Sequence, residues 1–284
     1  MKIKRKRRAV LFLLVSASFL FLGCKGVSKS AVYMTGESLQ ATDSSGMNEN
    51  YPSEEPGAKG NPLPQVNATV APAPDKPVKA IALTFDDGPD TGDTKATNMI
   101  LNVLEETGAK ATFFVVGQAA AEWFPTSGPE AMKRAVSLGC EIGTHTYSHE
   151  NLNKADDDVI AEEVEKSCQV IENITGQKVK LMRPPYGNAN ENVLSKVDLP
   201  MIQWDVDTLD WETKDPDKTV ENILNSVKPG SIVLMHDIYG QTAEAVEKVI
   251  PKLIEEGYQL VTVSELFELY GKDLEGHQQY YYAR

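Results

Sequence analysis

Cysteine is scarce in this chain, with three in 284 residues: Cys24, Cys140 and Cys168. That excludes a disulfide framework. If Cys24, directly after the N-terminal apolar run, is modified, one bridge at most is available, between Cys140 and Cys168. A domain of this size has enough core without a staple, so free thiols are expected. Positive charge is also short, at 28 Lys and Arg against 41 Asp and Glu, and six of the 28 lie in MKIKRKRR at the N-terminus. Without those six the balance is 22 against 41, a net charge of −19. Nucleic-acid binding needs basic patches to replace counterions, and this composition speaks against it. The apolar run Ala9–Leu22 falls short of the roughly 20 residues of a stable membrane span. No internal repeat is present, and nothing calls for a partner chain, so a monomer is expected.

The N-terminus has a charged region, a short apolar region and a small residue before Cys24, the grammar of a secretory signal. FLGC (21–24) resembles the lipobox of bacterial lipoproteins, in which the Cys becomes the lipidated first residue. This implies a signal over 1–23, lipidation at Cys24 and an extracytoplasmic location tied to the bacterial membrane. An uncleaved anchor is the competing reading. Residues 24–77 are rich in Ser, Gly, Asn, Pro and Ala and read as a flexible tether. About 50 such residues reach roughly 35–45 Å root-mean-square.

From Val78 the texture changes, with short apolar runs alternating with amphipathic segments. Strands are expected at 80–85, 111–116, 141–144, 180–182, 201–204, 231–235 and 259–263. Helical faces are expected around Met99, Ile100, Val103 and Leu104, around Ile160, Val164 and Ile171, around Val220, Ile223, Leu224 and Val227, and around Val246, Val249, Ile250, Leu253 and Ile254. Pro251 should kink or split the last of these. Such alternation predicts an α/β fold, a distorted, incomplete (β/α) barrel with about seven parallel strands over 78–270. Residues 271–284 read as a polar tail.

In parallel α/β folds, sites gather at the carboxyl ends of strands. Asp86 and Asp87 follow the first strand, HTYSH (145–149) the third, RPPYG (183–187) the fourth, WDVDTLDW (204–211) the fifth and His236-Asp237 the sixth. Three of the four histidines thus fall at one rim. A lone His there would more often be structural; three beside two carboxylates form a conjunction. Two imidazoles and a carboxylate are a common catalytic zinc set. Either Asp86 or Asp87 could ligate the metal, whose charge would offset their repulsion, while the other stays free as a base. Trp204 and Trp211 could be core or groove, and Arg183 with Asp210 could be a structural ion pair.

TFDDGP (84–89), HTYSH, RPPYG, DTLDW (207–211) and LMH (234–236) resemble, in order and spacing, the five motifs of the polysaccharide deacetylases, the NodB-type carbohydrate esterases. Within that family the motifs resemble those of the bacterial peptidoglycan N-acetylglucosamine deacetylases. The resemblance implies one divalent metal, zinc in the first place with cobalt, manganese or nickel able to serve. Its ligands would be Asp87, His145 and His149. It further implies Asp86 as general base paired with Arg183, His236 as general acid oriented by Asp210, a backbone N–H of Tyr186 for the oxyanion, and Trp211 and Leu234 around the acetyl group. The implied activity is hydrolysis of N-acetyl groups in a cell-wall polysaccharide. Acetyl-xylan or another O-acetyl polymer is the alternative substrate, and a non-catalytic sugar-binding lipoprotein a distant one.

Overall fold

A computed structural model describes residues 78–284; the leader, Cys24 and the tether lie outside the described residues. The fold is built on β1 (Ala80–Asp86), which is buried along its whole length. Its period-two alternation sorts its side chains. Ile81, Leu83 and Phe85 join a large cluster under the outer helices, and Ala80 and Ala82 join a smaller inner cluster with Phe114, Ile202, Ile232 and Phe267. Thr84 and Asp86 share that inner parity, so the strand delivers Asp86 into the barrel interior at the rim.

β2 (Thr112–Val115), β3 (Glu141–Thr144), β5 (Val206–Asp207), β6 (Ile232–His236) and β7 (Gln259–Leu260) complete a parallel sheet in the order β3-β2-β1-β6-β5, with β7 on the N-terminal part of β1. Isolated parallel bridges from Thr144 to Met182 and from Met182 to Met201 carry the curve to β4 (Met201–Ile202), which pairs with β8 (Gln279–Tyr280). An antiparallel bridge between Ser231 and Tyr282 returns to the start of β6. The result is the expected distorted α/β barrel of mostly parallel strands, with eight strands among the described residues where about seven were expected. The stretch 180–182 supplies only the bridging residue Met182. β7 stops at Leu260 because Thr262 caps the next helix, its side chain and that of Glu265 forming a reciprocal capping box.

Among the described residues eight α-helices surround the strands: α1 (Ala96–Thr107), α2 (Ser127–Ser137), α3 (Asp157–Thr175), α4 (Glu191–Lys196), α5 (Asp210–Thr213), α6 (Pro216–Ser226), α7 (Gly240–Glu255) and α8 (Val263–Leu269). α7 runs through Pro251 without splitting. Val246, Val249, Ile250 and Leu253 are buried on both sides of the proline, while Pro251 and Glu247, whose carbonyl loses its partner, face solvent. Packing thus overrides the breaker. Met99 and Ile254, assigned to buried faces from periodicity, are exposed.

The segment 271–284 is part of the barrel. Ala283 is fully buried, its N–H donates to the Gly230 carbonyl (2.9 Å), and Arg284 pairs with Asp205 (2.7 Å). Cys140 and Cys168 are free thiols, both pushed up by burial to about 11. No helix among the described residues is long and apolar enough to cross a membrane.

Candidate active site

The rim of the barrel holds a cleft of about 360 Å³ lined by Asp86, Asp87, His145, His149, Tyr186, Gly187, Trp204, Asp207, Trp211, Leu234, His236 and Tyr239. Neighbouring Asp86 and Asp87 face different partners because the backbone turns between them. Asp86 ends β1 in extended conformation, and Asp87 follows at φ 74°, in the left-handed region. Gly88 is required next. A Cβ there would lie 2.2 Å from the Asp237 carboxylate, which is fully buried and accepts a hydrogen bond from Thr97 Oγ1 (2.6 Å). That burial pushes the Asp237 carboxyl up to about 7.

Asp87, His145 and His149 offer three ligand atoms that lie within 4.8 Å of one another. The two Nε2 atoms are 3.5 Å and 3.2 Å from Asp87 Oδ1. Although buried, that oxygen has no aligned hydrogen-bond donor. Three lone-pair donors that converge without bonding one another fit a divalent cation. His145 Nδ1 lies 2.7 Å from the Arg183 carbonyl, which can only accept, so Nδ1 carries the proton and Nε2 is free to ligate. Burial alone would raise the Asp87 carboxyl, but the two imidazoles overrule it and hold it far below the ordinary carboxylate range. Burial likewise opposes protonation of His145, and Asp86 and Asp87 overcome it and raise the ring.

Asp86 stands beside this triad, with Oδ2 3.8 Å from His145 Nε2. Its other oxygen accepts from Arg183 Nη1 (2.8 Å). Arg183 is the largest fully buried side chain among the described residues. It also donates to Thr84 Oγ1 (2.7 Å) and to the carbonyls of Ile202 (2.9 Å) and Gln203 (3.0 Å), over the Phe114 ring. Burial draws the guanidinium down from its ordinary value and Asp86 opposes that; guanidinium stays charged in proteins. The partner of Arg183 is Asp86, not Asp210.

His236 Nδ1 lies 2.9 Å from Asp210 Oδ1, and Asp210 Oδ2 accepts from the His236 N–H (2.8 Å) and from Thr242 Oγ1 (2.7 Å). The Trp211 N–H fills the remaining place on Oδ1 (2.9 Å). Burial works against the charged imidazole, but Asp210 outweighs it and His236 is pushed up to about 9. Its remaining Nε2–H is the proton available to the cleft.

Leu234 is buried and still lines the cleft; Trp211 and Tyr186 are exposed at its edge. Trp204 serves both possibilities, packing on the inner cluster and forming cleft wall. The Tyr186 ring packs edge-on against His149, with centroids 4.7 Å apart. The structure thus brings together every site residue expected from the sequence within the described region. It adds several that sequence reasoning missed: Asp207 and Tyr239 in the lining, Thr242 behind Asp210, Thr84 behind Arg183, and Glu163. The last accepts both the N–H (2.8 Å) and the hydroxyl (2.7 Å) of Ser148, bracing the loop between the two histidines. Asp207 and Tyr239 could have been found from their places three and four residues beyond the expected strands 201–204 and 231–235.

A polysaccharide deacetylase family model matches residues 73–200. A solved structure described as a T48 deacetylase with substrate is 41% identical, with a TM-score of 0.66, over 72% of this chain and 96% of that one. The chain belongs to the polysaccharide deacetylase family. The peptidoglycan-N-acetylmuramic acid deacetylase PdaC of Bacillus subtilis is 38% identical over 191 residues, 67% of this chain. The peptidoglycan-N-acetylglucosamine deacetylase PgdA of Listeria monocytogenes is 36% identical over 203 residues, 72% of this chain. The matches span only 39% and 41% of those two relatives.

Proposed function

We propose that this polysaccharide deacetylase is a metal-dependent hydrolase that removes N-acetyl groups from N-acetylglucosamine in peptidoglycan and releases acetate. The observation that carries the reading is the placement of a base and an acid around one ligand triad. Asp86 is aimed by a buried Arg183, and His236 is held protonated by Asp210, both in the same cleft. The relatives that act on peptidoglycan support the polymer. The cleft lining holds Asp86, Asp87 and Asp207 and no lysine or arginine, so an uncharged acetamido sugar suits it better than one with a free carboxylate.

Asp87, His145 and His149 would hold the cation, zinc in this reading. When bound it would polarise the acetyl carbonyl and make a water more acidic. Asp86 takes the proton of the attacking water, its orientation fixed by Arg183. The Tyr186 N–H donates to the oxygen on which negative charge develops, where a preorganised donor has the most effect. A sugar amine leaves poorly as an anion, so His236 gives it the Nε2 proton; such acid catalysis contributes about 10²–10⁴-fold. Trp211, Leu234 and Tyr186 wall the acetyl group. The proposal includes a monomer exported by the signal over 1–23 and tethered to the membrane by lipidation at Cys24; no fatty-acid label on wild type, or label that persists in Cys24→Ser, would remove that part.

The test is product analysis on purified peptidoglycan, with acetylated xylan beside it. Acetate release with free amine on glucosamine is expected. Free amine on muramic acid alone, or acetate from xylan alone, would reassign the substrate. No acetate from any acetylated polymer with metal supplied would refute the enzymatic reading.

A further inference from the structure

The turn that presents the Tyr186 N–H is unusual in its backbone and in its support. Tyr186 lies at φ 61° and Gly187 at φ 68°. The Gly187 and Asn188 N–H groups donate to the Pro184 (3.0 Å) and Pro185 (3.1 Å) carbonyls, whereas the Tyr186 N–H meets no protein acceptor among the described residues. Beneath the turn lies Gln203, buried, which donates Nε2–H to the Gly187 carbonyl (3.0 Å) and to Gln279 Oε1 (2.8 Å). Gln279, in β8, donates its own Nε2–H to the Ala189 carbonyl (3.3 Å). The relay begins and ends on backbone carbonyls, which can only accept, so each amide has a single orientation. The turn also packs directly on this relay, since a Cβ on Gly187 would lie 2.9 Å from the Trp204 ring and 3.1 Å from Gln203 Oε1.

β8 is itself fixed. The Met201 N–H donates to the Gln278 carbonyl (2.9 Å) and the Gln203 N–H to the Tyr280 carbonyl (2.7 Å). The C-terminal strand therefore reaches the 186–189 turn at two carbonyls through two side chains.

We propose that Gln279, acting through Gln203, is a positioning residue that aims the Tyr186 N–H at the reacting oxygen. This rests on the reading of that N–H as the oxyanion donor. A donor of this kind acts on the transition state, so its misalignment lowers kcat and leaves KM in place.

The experiment measures three things on the full chain with zinc bound, for wild type, Gln279→Ala and Gln279→Glu: kcat and KM on an N-acetylglucosamine oligomer, zinc affinity, and amide hydrogen exchange over 185–190. The glutamate variant keeps an acceptor for Gln203 and loses the bond to Ala189. For Gln279→Ala the expected result is faster exchange in that segment, kcat lower by about 3- to 10-fold, the worth of one or two hydrogen bonds, and unchanged KM and zinc affinity. Gln279→Glu should fall between. Unchanged exchange overturns the relay whatever the activity does. Faster exchange with wild-type kcat overturns the role given to the Tyr186 N–H. A loss of zinc affinity matching the loss of kcat overturns positioning in favour of general structural damage. If no variant, wild type included, deacetylates any oligomer, the functional reading fails while exchange still reports on the relay.

Discussion

Asp210→Asn separates the acid role of His236 from mere packing. In the native cleft Asp210 accepts four hydrogen bonds, from the Nδ1–H and N–H of His236, from Thr242 Oγ1 and from the Trp211 N–H. An asparagine has one acceptor oxygen, and its NH₂ would confront two donors. Burial opposes the charged ring, and the largest of the contributions that nonetheless raise His236 from 6.5 to about 9, that of Asp210, is lost too, leaving only the smaller ones of Asp86 and Asp87. That rise corresponds to roughly 3 kcal/mol at about 1.4 kcal/mol for each tenfold, and the side chain is only 14% exposed, so solvent screens little of it. A group whose folded pKa is raised contributes stability that is whole below its unfolded value and is lost as pH rises through the folded one. Asp210→Asn should therefore lower the melting temperature by on the order of 5–10 °C near pH 6, and the gap should shrink as pH passes about 9. In catalysis the same charge keeps the Nε2 proton in place. A cation on the Asp87 triad offsets the contributions of Asp86 and Asp87 and leaves that of Asp210. The alkaline limb of kcat/KM should then sit at or below about 9 in the native enzyme and move below the ordinary imidazole value in the variant, where burial acts alone. Acetate release across pH, with melting curves on the same samples, reads both effects. An alkaline limb unmoved by Asp210→Asn would refute His236 as the acid.

Substitutions at three further places address the other parts of the site. Glu163→Ala frees Ser148 and the loop between the two histidine ligands, and should weaken zinc binding by about 10- to 100-fold in a competition titration, with the fold retained by circular dichroism; native affinity would dismiss the brace. Gly88→Ala should destabilise strongly, because its Cβ would lie 2.2 Å from the Asp237 carboxylate. Adding Asp237→Ala should relieve it, so that the double variant loses less in chemical denaturation than the two single losses together; strict additivity would show that the contact is not the cause. Arg183→Lys cannot satisfy Thr84, Asp86 and the Ile202 and Gln203 carbonyls from one ammonium. It should cost about 3–5 kcal/mol in denaturation and most of kcat; a folded, fully active variant would contradict the role of the Arg183–Asp86 pair.

The residues to which the proposed chemistry is assigned were legible because their types are rare and their places conspicuous. Four histidines in the whole chain, three of them after strands, leave little room for chance. A pair of adjacent aspartates at the end of a buried strand is a problem that demands a counter-charge. The residues that aim them were not legible. Thr242, Glu163 and Gln203 look like ordinary polar positions, and their partners are 32, 15 and 16 residues away in the chain. The same limit applied to the fold. β1 announced itself as the apolar run 80–85 and extends one residue further, to Asp86, whereas β5 and β8 are two residues each, too short to show a period. β8 exists because β4 presents an open edge. That edge is what converts GKDLEGHQQYYYAR from a polar tail into a wall of the barrel, and it links two observations that sequence kept apart. RPPYG reads as a functional loop and 271–284 as a polar tail, yet the turn of the first is held by a glutamine of the second. A site assembled at the rim of a barrel inherits its precision from the segments that close the barrel, so the elements that set how well this cleft works include ones with no chemistry of their own.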